Sequence, residues 1–124
     1  MQFDRDPDNE ANAIVACADD EIRLRGRAYT RHVIVTRDAV IDAWQPPPVD
    51  RLGIGDFAEL IALKPDVILL GTGTRQRMPP PQLIADLAAR GIGLEAMDNR
   101  AACRTFNVLL SEYRDVAVAL MIGR

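Results

Sequence analysis

The sequence predicts an α/β fold, and three observations carry that prediction. An apolar, β-branched run at residues 66–71 opens into a Gly/Thr/Arg loop, a proline-started helical segment and a second apolar run at 92–97. Strand, short helix and strand in that order make parallel neighbours joined by a right-handed crossover. Upstream, short strand-like runs between residues 13 and 44 are separated by tight turn signals, which favours antiparallel pairing. Downstream, Asp115-Val116-Ala117-Val118-Ala119-Leu120-Met121-Ile122 is apolar beyond its first residue, as a central strand covered on both faces should be.

The elements follow in order. Ala13-Ile14-Val15-Ala16-Cys17, Ile22-Arg23-Leu24-Arg25, His32-Val33-Ile34-Val35-Thr36 and residues 39–44 read as strands, with Asp19-Asp20 and Arg37-Asp38 at the breaks. Ile22, Leu24 and Gly26 alternate with Arg23, Arg25 and Arg27, the period of a sheet with one wet face. Gln45-Pro46-Pro47-Pro48 marks a loop, because proline donates no ladder hydrogen bond, and Trp44 before it is a core plug or a pocket wall. Asp56 is placed to cap a short helix with Phe57, Leu60, Ile61 and Leu63 inward, stopped by Pro65. Pro79-Pro80-Pro81 presets the first turn of a helix through Leu83, Ile84, Leu87 and Ala88, and Gly91 supplies its end. A third helix runs from Asn99 or Arg100 to about Glu112, capped by Asp98, with Ala102, Cys103, Phe106, Leu109 and Leu110 inward.

Composition sets the limits. A chain of 124 residues, 48% hydrophobic and 27% charged, can bury one core, so we expect a flexible N-terminus at residues 1–12 and a single domain at 13–124. A formal net charge of −3 disfavours a nucleic-acid partner, which selects for basic excess. Lys64 is the only lysine; the other basic residues are arginines, as codon bias alone would produce. Cys17 and Cys103 form no CxxC spacing, so neither a metal site, a cofactor nor a disulfide framework is expected. The acidic start lacks the apolar stretch of a signal peptide, and no run reaches the length of a membrane span. The expectation is a cytoplasmic chain without membrane insertion.

The motifs specify no reaction. Gly71-Thr72-Gly73 departs from the dinucleotide fingerprint at Gln76, where its third glycine belongs, and no Lys-Ser or Lys-Thr follows to make a phosphate loop. His32, the single histidine, is remote in sequence from both cysteines, so no nucleophile–base pair is indicated. Cys103 sits in the first turn of a helix beside Arg104, which lowers a thiol's pKa, but on the apolar face that marks a structural cysteine. Asp98 and Glu95 read as solvated, and Asn107 as a structural bond to backbone. No catalytic residue is assigned. What remains is a site edge: in parallel α/β sheets ligands collect at the strands' carboxyl ends. Thr72, Thr74, Arg75, Arg77, Asp98, Arg100 and Arg104 are the candidates for holding an anion there.

Taken together, residues 65–73, 91–97 and 101–109, with Gly26, Tyr29 and Trp44 upstream, resemble a small α/β domain family of largely unknown function. Its members include bacterial and archaeal single-domain proteins, the mitochondrial respiratory complex I assembly factor and the adipogenesis-associated domain protein. The resemblance runs from about Ile14 to Ile122. It implies a three-layer fold, with a central mixed sheet, helices on one face and additional β-hairpin structure on the other. It does not imply an enzyme. By analogy the chain is a bacterial accessory or assembly protein with a protein partner or self-association; it lacks the Arg-rich targeting extension of the mitochondrial member. The alternative is a small-molecule or anion-binding domain, or a small enzyme, with its site at the carboxyl edge of the sheet.

Overall fold

A computed structural model describes residues 11–122. Among these residues eight strands and three α-helices occur in the order β1 (Ile14–Ala18), β2 (Glu21–Leu24), β3 (Arg27–Tyr29), β4 (Val33–Thr36), β5 (Val40–Ile41), α1 (Ala58–Ala62), β6 (Val67–Gly71), α2 (Pro81–Ala88), β7 (Gly93–Met97), α3 (Asn99–Ser111) and β8 (Val116–Leu120). The main sheet has the order β5-β4-β8-β6-β7, and β1-β2-β3 form a separate antiparallel sheet. β6 is parallel to both β7 and β8, whereas β4 is antiparallel to β8, so the sheet is mixed and β8 is central. Its five residues are all buried, the outcome an unbroken apolar strand demands.

Side-chain alternation divides the core between two faces. Val118 and Leu120 of β8, Leu69 of β6 and Val33 and Val35 of β4 point to one face, where α3 contributes Ala102, Cys103, Phe106 and Leu110 and the small sheet contributes Ile22 and Leu24. Ala117, Ala119, Ile68, Leu70 and Ile34 point to the other, under Phe57, Leu60, Leu83 and Leu87. The fold is therefore three-layered around a mixed sheet, with α1 and α2 opposite the extra β structure as expected. α3 joins the β side, where Asn107 holds β1: its Oδ1 accepts from Ile14 N at 2.9 Å and its Nδ2 donates to Ile14 O at 2.8 Å.

Local departures have physical reasons. Gly26 does not continue the inward series of β2. It turns the chain with φ of +81° between Leu24 and Arg27, which pair directly, and so starts a third strand that three residues are too few to announce. The run at 39–44 stays in the sheet only for Val40–Ile41; Trp44 leaves it to bury against Phe57, with ring centroids 5.8 Å apart, and donates Nε1 to Asp56 O at 2.9 Å. Asp56 sits inside a 3-10 turn and reaches back to accept from Gly53 N at 2.8 Å, ahead of α1. Only Pro81 of the three prolines is helical, with Pro80 as the N-cap. Of the flexible segment expected at 1–12, residues 1–10 lie outside the described residues, while Asn12 N donates to Arg37 O at 2.8 Å.

Candidate functional site

β6, β7 and β8 run in one direction, so Gly71, Met97 and Leu120 finish together on one edge of the sheet. Asn99, at the first turn of α3, joins those ends. Its Oδ1 accepts from Gly73 N at 3.1 Å, its Nδ2 donates to Met121 O at 3.0 Å, and its own N donates to Gly73 O at 2.8 Å. Gly71 permits that approach: a Cβ there would collide with Asn99 Oδ1 and lie 2.6 Å from Leu120 Cδ2. Gly73, at φ of +98°, then turns the chain away from the strand direction in a conformation that suits glycine.

The loop after Gly73 is closed by Thr72, which is buried. Thr72 Oγ1 lies 2.7 Å from Arg75 O and accepts from Arg77 N at 3.0 Å. Gln76 Nε2 donates to Ala96 O at 2.9 Å, pinning the loop to β7. Arg75 and Arg77, to either side of Gln76, both line a cleft of about 640 Å³. Pro46, Pro47, Pro48 and Val49 line the same cleft, with His32 and Met121 also bordering it. Ile122 N donates to His32 Nδ1 at 3.0 Å, and the imidazole meets Trp44 edge-on at 6.5 Å.

The seven residues singled out in the sequence divide between two depressions. Thr72, Thr74, Arg75 and Arg77 border the large cleft; Asp98, Arg100 and Arg104 border a smaller one of about 180 Å³ beside Cys17 and Asp19, and Thr74 reaches both. They do not converge on one point. Asp98 caps α3 by accepting from Ala101 N at 2.9 Å. Arg100 donates to Cys17 O at 3.0 Å and pairs with Asp19 at 3.4 Å. Arg75, Arg77 and Arg104 are exposed and have no carboxylate partner among the described residues. Asn99, His32, the proline wall and Met121 were not among the sequence candidates. The proline run carries a sequence signal only as a loop and Asn99 only as a helix start; His32 and Met121 come together through the pairing of β4 with β8.

Cys103 and Cys17 are both free thiols, and Cys103 is buried. Burial pushes the Cys103 thiol far up, the neighbouring Cys17 adds to that, and Arg104 pulls it down by less. Desolvation thus outweighs the helix start and the arginine, and the thiol stays protonated. We expect iodoacetamide to label Cys17 well before Cys103 in the native protein, read by mass spectrometry. Because the unfolded thiol ionises near pH 9.0 and the folded one well above it, this group's contribution is intact below pH 9.0 and lost as pH rises beyond. The loss is on the order of 1 kcal/mol per pH unit. A matching slope should disappear from denaturant titrations of Cys103→Ala.

Among the described residues no helix is long and apolar enough to cross a membrane, and no group of three His, Cys, Asp or Glu could hold a metal ion. A family model described as "Protein of unknown function (DUF498/DUF598)" matches residues 14–121. The Francisella tularensis "13 kDa major membrane protein" is 36% identical over 62 residues, 50% of each chain. The Danio rerio protein named NADH dehydrogenase (ubiquinone) 1 alpha subcomplex assembly factor 3 is 34% identical over 86 residues, 61% of this chain and 49% of that one. The matches thus span about half the length of these relatives. A Xanthomonas campestris protein solved by NMR aligns with a TM-score of 0.82 and 40% identity over 90% of this chain and 84% of that one.

Proposed function

The chain belongs to the DUF498/DUF598 family, and from that premise we propose that it is a non-catalytic accessory or assembly protein whose working surface is the large cleft at the carboxyl edge of the sheet. The observation that carries this reading is the cleft's make-up, the apolar Pro46, Pro47, Pro48 and Val49 lining it together with Arg75 and Arg77. Apolar area with a few fixed polar groups is what a binding cleft requires. The relatives named as assembly factors support a polypeptide as the occupant, and cytoplasmic location belongs to the same proposal.

The second reading, a small-anion site, draws on the same arginines, which have no carboxylate partner among the described residues. Photo-crosslinking separates the two. With p-benzoylphenylalanine replacing the exposed Thr74, we expect a defined polypeptide adduct that is absent when the label replaces Glu59, exposed on α1. Identical adducts from both positions, or none from position 74, would remove the cleft from the account.

A further inference from the structure

We propose that the segment held by this cleft is acidic: an extended stretch of a partner polypeptide that sets an aliphatic side chain beside an Asp or Glu carboxylate. The inference rests on the polypeptide-binding reading and adds the chemistry of the occupant.

Charge distribution is the first argument. The chain carries 18 acidic and 15 basic residues, yet among the described residues the cleft is bordered by two arginines and by no Asp or Glu. Its local charge is opposite to that of the chain as a whole. Loop geometry is the second. Gln76 is drawn away to Ala96 O and Thr72 Oγ1 holds the backbone at Arg75 and Arg77, so both guanidinium groups start from an anchored backbone. Guanidinium forks suit carboxylates bidentately, and anchoring their stems reduces the ordering cost of using them.

The apolar part of the lining selects the rest of the segment. Pro46, Pro47 and Pro48 present ring carbons and no backbone N–H, and Val49 and Met121 extend the apolar surface, which favours an aliphatic side chain one or two residues from the carboxylate. A volume of about 640 Å³ leaves room for more than a lone inorganic anion.

The test is a cellulose-bound array of octapeptide pools holding Leu-Asp, Leu-Asn or Leu-Lys at fixed central positions, probed with the purified full chain. The wild type should be retained on the Leu-Asp pools about tenfold more strongly than on Leu-Asn, the scale of a charge-assisted hydrogen-bonded pair. Arg75→Glu combined with Arg77→Glu should move the preference to Leu-Lys. Both positions are exposed, and an unchanged melting temperature checks that the fold survives.

Equal retention on all pools, or an Asp preference that survives the reversal, overturns the inference. So does arginine-dependent binding of free citrate together with no retention on any pool. If crosslinking from position 74 still yields a polypeptide while the pools show no acidic preference, the accessory function stands and only the acidic occupant fails.

Discussion

Asn99→Ala should lower the free energy of unfolding by about 3 kcal/mol, because it strands buried backbone groups that each cost about 1–3 kcal/mol without a partner. The residue is 4% exposed. It accepts from Gly73 N at 3.1 Å and donates to Met121 O at 3.0 Å, and both Gly73 and Met121 are buried. Removing the amide leaves an N–H and a carbonyl without these partners. Chemical denaturation of the two proteins measures the difference, and a change below about 1 kcal/mol would mean that water or a backbone shift replaces both bonds. Asn99→Asp should be no better, since it keeps the acceptor, loses the donor and introduces a buried charge.

Gly71→Ala should cost about 3 kcal/mol, from overpacking together with displacement of the Asn99 amide. The new methyl has nowhere to go. Gly71 lies in β6 between β7 and β8, its Cβ position collides with Asn99 Oδ1, and Leu120 Cδ2 at 2.6 Å belongs to a fully buried side chain. Part of the penalty passes through Asn99, so the two substitutions must couple. Introduced into Asn99→Ala, Gly71→Ala should cost about 1–2 kcal/mol less than in the wild type, as expected for neighbours that share a clash. Equal costs in both backgrounds would assign the whole effect to Leu120.

These two positions show where sequence reading reaches and where it stops. The crossover from residue 66 to residue 97 was legible because each element carries its own punctuation: β-branched residues for the strand, proline at the helix start and Gly91 at its end, where φ is +79°. The central place of β8 followed from its unbroken apolarity, and Asp98 was legible as a cap because an N-cap bond is local. Asn99 was visible only as a helix boundary, since its partners lie 22 and 26 residues away. Non-local hydrogen bonds leave no periodicity in a single sequence.

The candidate site was half legible for the same reason. The loop of residues 72–77 and the start of α3 do open on one edge, as parallel strands require, but which side chains share a cleft depends on what flanks each. The extra β sheet and its Asp19 engage Arg100, whereas the proline loop lines one cleft with Arg75 and Arg77. Neither flank is encoded near the loop it faces. In the sequence the proline run marks a boundary in the chain; in three dimensions it lines the cleft.

Trp44 gives the cleft an internal reporter. It is the only tryptophan, it is buried, and it touches His32 at the cleft's border, so a segment that presses on His32 should change its fluorescence. The measurement that tests the central claim most directly is an amide chemical-shift titration of the isotope-labelled protein with the Leu-Asp peptide best retained on the array. The account predicts saturable shifts clustered at residues 72–77, Val49, Met121 and the Trp44 indole. Shifts clustered instead at Cys17, Arg100 and Arg104, on the α3 side, would contradict it.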